Sequence, residues 1–331
     1  MSSDIMHICV SSDNNYAQHL GATIASILSS NPHSQFFFHV LDGGIGAENI
    51  QKIKELKKKY PCELEFIRMD EKEFENCVLP NGTHFTLSSY YRLKIPSLFA
   101  HLERVLYLDV DLIVKGDLRP LYNTDIGDSY FAMIEDYYAK ESVDRLALKH
   151  NRYFNSGVTL FNISQLKKEK VEQKCFDFIN NHFEKIIFVD QDVINVVADG
   201  RILAMPEIYN AQVILPDWKR CNAVISQLKQ VCIVHYVSAV KPWQKKSSCV
   251  VLRQLYYKNL FKTPWKKQCF IFYLQLLKNK IIYRKKDSNS KRICLFGITI
   301  FKKKFFSDGK RKEKKYYFCG IPYYEKVNYD A

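Results

Sequence analysis

Arg104-Val-Leu-Tyr-Leu-Asp-Val-Asp-Leu-Ile-Val114 is an apolar run that delivers two carboxylates, Asp109 and Asp111, to the end of a buried strand. In an extended chain, residues i and i+2 point to the same side, so this pair can reach toward one ligand. Two charges held close together in apolar surroundings need a cation or a shared proton. A divalent metal is the simplest partner, and oxygen ligands suit Mg²⁺ or Mn²⁺. The pattern recurs at Asp190-Gln-Asp192, so Asp-x-Asp alone is weak and its setting must decide.

Working outward toward the N-terminus, His7–Val10, Phe36–Leu41 and Glu63–Arg68 read as short apolar strands. Between them, Ala17–Ser29 and Ala47–Tyr60 carry apolar residues at helical spacing. This alternation predicts a parallel α/β sheet with right-handed crossovers. Ligands of such sheets sit outside the carboxyl ends of the strands. The polar turn Ser11-Ser-Asp-Asn-Asn-Tyr16 and the Asp109–Asp111 end would therefore share a rim. Residues 70–85 read as an irregular excursion, and Ser88–Leu98 as a helix leading into the carboxylate strand. Downstream, Tyr130–Asp136 is a strand ending in acid, and Asn155 and Gly157 precede another strand. Ser164–Phe183 is expected to be one long helix, Asp190-Gln-Asp192 opens the next, and Val231–His235 is a last strand of the body.

Composition bounds the rest. At 47% hydrophobic and 25% charged, 331 residues make one large or two small globular domains. Ten cysteines, scattered singly without Cys-x-x-Cys, argue for reduced thiols in a cytosolic setting and against a zinc site or a disulfide scaffold. No signal peptide and no membrane span are expected. The charge is uneven: residues 245–331 hold 23 Lys and Arg against 5 Asp and Glu, leaving 26 against 30 in the first 244. That asymmetry predicts a body over residues 1–245 and a basic, aromatic-rich extension over 246–331.

Taken in order, Ser12-Asp-Asn-Asn-Tyr-Ala17, Tyr91-Arg-Leu-Lys94, Tyr107-Leu-Asp-Val-Asp111, Tyr153-Phe-Asn-Ser-Gly157, Asp190-Gln-Asp192 and His235-x5-Lys241-Pro-Trp243 resemble glycosyltransferase family 8. They look closest to its bacterial lipooligosaccharide and lipopolysaccharide α-galactosyl- and α-glucosyltransferases, over roughly residues 6–245. The resemblance implies a GT-A-like, Rossmann-type mixed sheet flanked by helices. It implies that Asp109, Asp111 and His235 bind Mn²⁺, with Mg²⁺ as the alternative, and that Lys241 adds positive charge to the diphosphate of a UDP-hexose donor. Asp13 and Asn15 would hydrogen-bond uridine, and Tyr16 would stack on uracil. Arg92, Asp136, Asn155 and Asp190 would contact the donor sugar, with Gln191 beneath the anomeric carbon. The family retains anomeric configuration. An amide is a poor nucleophile, so front-face attack is favoured, with the Gln191 carbonyl oxygen stabilising positive charge on the sugar. The family's usual glycine three residues after the metal histidine is Ser238 here, which crowds the approach to the diphosphate.

Simpler roles stand beside these: Asp192 as a helix-start residue without chemistry, and Trp243 as a packing anchor. Two rival functions are a haloacid-dehalogenase-like phosphatase, with the first Asp as nucleophile, and a catalytically lapsed sugar-nucleotide-binding or membrane scaffold protein. In the extension, Cys269–Leu277 is too short to span a bilayer but could lie along one. A repeat relating Arg292–Lys302 to Lys315–Glu325 suggests strand hairpins. An anionic inner leaflet attracts such a segment by roughly 1 kcal/mol per contacting Lys or Arg, which predicts a cytoplasmic enzyme held peripherally on the inner face of the plasma membrane, beside a lipid-linked oligosaccharide acceptor. Nucleic acid is the less favoured partner.

Overall fold

The computed structural model describes residues 5–77, 79–80, 85–138, 141–244, 249–286, 290–295, 298–307, 311–318 and 321–329. Two compact units divide the chain, Met1–Lys266 and Lys267–Ala331.

The first unit is built on a seven-stranded sheet in the order β3-β2-β1-β4-β7-β6-β8. Its strands are β1 (Met6–Ser12), β2 (Phe36–Asp42), β3 (Glu63–Arg68), β4 (Arg104–Leu108), β6 (Phe131–Glu135), β7 (Phe154–Asn162) and β8 (Ile202–Ala204). The three strands read from the N-terminal third pair in parallel, as does β1 with β4. Antiparallel β7 separates β4 from β6, which makes the sheet mixed. Buried Ile8, Val10, Phe38, Val40, Val105 and Leu106 fill the strands' interior positions.

The carboxylate stretch differs from the single strand expected of it. β4 ends at Leu108, and a separate strand β5 (Leu112–Val114) begins one residue after Asp111. β5 belongs to a second sheet, of order β5-β10-β9, with β9 (Ala211–Gln212) and β10 (Ile233–His235). The Asp109 N–H still bonds Gly157 O at 2.8 Å, whereas Asp111 O accepts the Tyr236 N–H at 3.1 Å. The two aspartates are thus the joint at which the chain leaves one sheet for the other. Asn155 and Gly157 lie inside β7, not before it. The pairing of β6 with β7 passes from Met133↔Thr159 to Ile134↔Asn155, so Ser156, Gly157 and Val158 bulge from the ladder. Bulges re-aim side chains beside active sites.

Two expected helices are broken. Over 87–98 the chain makes two 3₁₀ turns, Leu87–Ser89 and Tyr91–Lys94, and one α-turn, Ile95–Leu98. Pro96 lacks the N–H that a continuous helix would need at that point. The long helix starts one residue earlier, with the Asn162 side chain capping Gln165 N, and splits at Lys170, whose φ is +50°.

Residues past the charge boundary at Lys245 still build the first unit. The helix Val250–Leu260 packs on Ala17–Ser30, and a Cβ at Gly21 would lie 2.6 Å from the Trp265 ring. The second unit comprises the helix Lys267–Ile281 and a five-stranded antiparallel meander, β11 (Ile282–Lys286), β12 (Ser290–Leu295), β13 (Ile298–Ser307), β14 (Arg311–Phe318) and β15 (Ile321–Tyr329). Among the described residues no helix is long and apolar enough to cross a membrane.

Candidate active site

The ends of β1, β4 and β6 and the bulged start of β7 meet along one rim, around a cavity of about 350 Å³. Asp13, Tyr16, Arg92, Asp109, Asp111, Asp136, Asn155, Asp190, Gln191, His235 and Lys241 all line it. Asn15 is the exception among the residues singled out from sequence: it is exposed and lies off the cavity wall. The Asp13 carboxylate accepts the Tyr16 N–H at 2.9 Å, so it shapes the turn as well as facing the cavity.

Asp109, Asp111 and His235 each bring one ligand atom to within 4.8 Å of the others. His235 arrives on β10, which pairs antiparallel with β5 and so lies alongside the second aspartate. Its Nε2 is 3.1 Å from Asp111 Oδ1 and 3.6 Å from Asp109 Oδ2. Two carboxylates and an imidazole form a donor set suited to Mn²⁺. The backbone leaves room for it: a Cβ at Gly157 would lie 2.3 Å from His235 Cε1 and 2.5 Å from Asp109 Oδ2. The residues present therefore fit a divalent cation.

Buried cations balance these acids. Lys241 Nζ lies 2.6 Å from Asp111 Oδ2 and donates to Tyr236 O at 2.7 Å. Burial raises the Asp111 pKa, but Lys241 and His235 outweigh it and hold the carboxyl well below its usual range. Arg92 reaches Asp109 Oδ1 at 2.8 Å and Asp190 Oδ2 at 3.1 Å, donates to Ser156 O at 2.7 Å, and lies 4.1 Å above the Tyr107 ring. Only 4% exposed, its guanidinium is committed to protein acceptors. It acts chiefly as the bracket between Asp109 and Asp190.

Gln191 is held at both ends. Its Oε1 accepts from Asn155 Nδ2 at 3.0 Å and Ser156 N at 3.1 Å, and its Nε2 donates to Asp136 Oδ2 at 3.0 Å. Asp190 accepts from Ser156 Oγ at 2.8 Å, and burial pushes its pKa up to about 6. Arg92 opposes that rise without cancelling it, because the guanidinium is shared with Asp109. Val189, just before, has φ of +39°, a strained value for a β-branched residue that sets the direction in which Asp190 and Gln191 leave the backbone.

Trp243 packs as an anchor: its ring stacks on His19 at 3.5 Å and tilts against Tyr256. Ser238 Oγ bonds Val240 O at 3.1 Å within the loop that carries Lys241. Sequence reading missed Ser156 and Asn210. Ser156 was visible as the middle of Asn-Ser-Gly, whereas Asn210 sits in no motif.

A family model described as Glycosyl transferase family 8 matches residues 7–247. The galactosyltransferase LgtC, solved in complex with donor and acceptor sugar analogues, superposes with a TM-score of 0.70 at 23% identity, covering 80% of this chain and 100% of LgtC. General stress protein A of Bacillus subtilis is 28% identical over 275 residues, 79% of this chain and 95% of that protein. The lipopolysaccharide 1,2-glucosyltransferase of Escherichia coli is 28% identical over 77% of each chain. The lipopolysaccharide 1,3-galactosyltransferase of Salmonella typhimurium is 27% identical, over 79% of this chain and 80% of that protein. Fold and family together define a glycosyltransferase of GT-A architecture. The chain belongs to glycosyltransferase family 8.

Proposed function

We propose that this enzyme transfers a hexose, galactose or glucose, from its UDP conjugate to a lipid-linked oligosaccharide in lipooligosaccharide or lipopolysaccharide core synthesis, with retention of configuration and dependence on Mn²⁺. The observation that carries this reading is the convergence of Asp109, Asp111 and His235 on the wall that also holds Lys241, Asp190 and Gln191. The names of the Escherichia coli and Salmonella relatives support the acceptor class.

Asp109, Asp111 and His235 would hold a divalent cation, which would supply Lewis-acid charge neutralisation to the donor's diphosphate. Lys241 adds a second positive charge beside Asp111. Asp13 and Tyr16 face the uridine end of the cavity, while Asp136, Asn155 and Asp190 face the donor sugar. Gln191, fixed by Asp136 and Ser156, presents an oriented amide in place of a nucleophile, so the acceptor hydroxyl attacks on the face that UDP leaves. Trapping of a sugar on Asp190 in a Gln191→Ala variant, detected by mass spectrometry, would count against this route.

We further propose that the second unit attaches the enzyme peripherally to an anionic membrane. Its helix exposes Phe270, Ile271 and Leu274, and the β13–β14 register pairs Lys302 with Tyr317, Lys303 with Tyr316 and Lys304 with Lys315. Salt-sensitive flotation with anionic vesicles is expected. For the central reading, the test is UDP release from a panel of UDP-sugars with and without Mn²⁺. Release only with metal and a hexose donor supports it, and no release with any donor favours a lapsed, sugar-nucleotide-binding protein.

A further inference from the structure

His235 is useful to a metal only if Nε2 offers a lone pair, which requires the ring hydrogen to sit on Nδ1. The groups around it decide this through a chain of directional bonds that begins outside the ligand set. Asp136 Oδ2 serves as an acceptor, taking the Gln191 Nε2–H at 3.0 Å. The Asn155 atom 3.2 Å from it must therefore be Nδ2, which also meets Gln191 Oε1. Asn155 Oδ1 then points the other way, where it accepts the Gly157 N–H at 3.2 Å. That N–H cannot do anything but donate, so the orientation is fixed twice over. Asn210 approaches the same Oδ1 at 2.9 Å and must do so with its own Nδ2. Its Oδ1 is left facing His235 Nδ1 at 2.9 Å, and an amide oxygen there requires a hydrogen on Nδ1.

We propose that Asn210 is a positioning residue that selects the Nδ1–H form of His235 and so presents Nε2 to a divalent cation. Metal-binding histidines characteristically donate their second ring N–H to such a partner, and loss of that partner weakens metal affinity by roughly 10- to 100-fold. The setting favours the role. Asn210 is fully buried and closes the 3₁₀ turn Glu207–Tyr209, one residue before β9, which runs parallel to β10 with Gln212 beside His235. Because the chain starts at Asp136 and passes through Asn155, it ties the expected donor-sugar residues to the orientation of a metal ligand.

The inference rests on the metal reading proposed above, so its test includes a measurement independent of bound metal. In the full-length protein labelled with nitrogen-15 histidine, with His235 assigned by its loss in His235→Gln, long-range proton–nitrogen correlation reports which ring nitrogen carries hydrogen. Nδ1 is expected to carry hydrogen in the wild type, both where Nε2 is bare and where it donates to Asp111 Oδ1 at 3.1 Å. Asn210→Leu, which removes the acceptor at similar volume, should move the hydrogen to Nε2, where Asp111 accepts it. Calorimetric titration should show Mn²⁺ affinity falling by roughly 10- to 100-fold. Asn210→Asp keeps an acceptor for Nδ1 and should keep the hydrogen there. A bare Nδ1 in the wild type or in Asn210→Asp overturns the proposal, and so does a folded Asn210→Leu with unchanged affinity and unchanged Nδ1–H. If Asn210→Leu does not fold, the other two spectra decide. A wild type that binds no Mn²⁺ removes the metal reading and leaves the nitrogen spectra to judge Asn210 by themselves.

Discussion

The chain contains Asp-x-Asp twice, and the backbone gives the two copies different work. Asp109-Val-Asp111 joins the end of β4 to the start of β5, and both carboxylates reach one point together with His235. Asp190-Gln-Asp192 opens the helix Val189–Val197, where i and i+2 diverge by about 200°. Asp190 accordingly faces Arg92 and Ser156 in the cavity. Asp192 turns away and is consumed by the fold: it accepts from Arg145 at 2.9 Å, Tyr153 OH at 2.6 Å, Ile187 N at 2.7 Å and Phe188 N at 2.8 Å. Its bonds to Ile187 N and Phe188 N reach back from the fourth helical residue to the N-cap and the residue before it. Identical sequence patterns thus yield a bidentate site at the joint of two strands and a division of labour on a helix.

The contrast is broken most severely at the strand copy. Asp109→Asn or Asp111→Asn should lower Mn²⁺-dependent UDP release by about 1000-fold or more, the several kcal/mol that a Lewis acid contributes. Gly157→Ala should do the same without replacing a ligand residue, because its Cβ would press on the His235 ring and on Asp109 Oδ2. At the helix copy, Asp192→Ala should instead cost stability, about 3 kcal/mol, by removing the acceptor of Tyr153 OH and two backbone N–H groups and the carboxylate of the Arg145 ion pair. Mn²⁺ affinity of the folded variant should be unchanged, as calorimetric titration would show.

Asp190 sharpens the comparison through pH. Its pKa of about 6 in the folded protein lies above the roughly 3.9 expected of an unfolded Asp. Between those values the folded state binds more protons than the unfolded state, so the contribution of this group to stability falls as pH rises through about 4 to 6. Denaturant titrations should show the Asp190→Asn variant gaining on the wild type across that window by up to about 3 kcal/mol, at 1.36 kcal/mol per pKa unit. A difference that is flat with pH would remove Asp190 from this role. The smallest effect belongs to the middle of the strand copy: Val110→Ala should cost about 1 to 2 kcal/mol of buried apolar surface and leave metal affinity intact.

Legibility in the sequence followed the range of the forces at work. Alternating strands and helices over residues 6–68 declare themselves by local period, so the parallel half of the sheet and its functional rim were readable. The end of β4 was not, because β5 pairs with β10, and that partner lies more than a hundred residues downstream. Three apolar residues, Leu112, Ile113 and Val114, look the same whether they continue one sheet or begin another. The candidate site residues Asp13, Tyr16, Arg92, Asn155, Asp190, Gln191 and Lys241 stand in ordered motifs, whereas Asp136 was legible only as the acid that ends a strand. Arg92 nevertheless proved to be a bracket between carboxylates, and Asn15 stayed on the surface. Asn210 was invisible, since its importance lies in which amide atom faces which neighbour, and no spacing encodes that.

The break between β4 and β5 has a consequence for stability under changing ionic conditions. Asp109 remains attached to the seven-stranded sheet through Gly157, while Asp111 and His235 belong to the three-stranded one. Any cation held by all three must hold the two sheets together, so its concentration becomes a variable of folding. At a hundred times its Kd such an ion adds about 2.7 kcal/mol by mass action. Chelation should then loosen β5, β9 and β10 before the large sheet, with amide exchange at Val234 and Tyr236 quickening first.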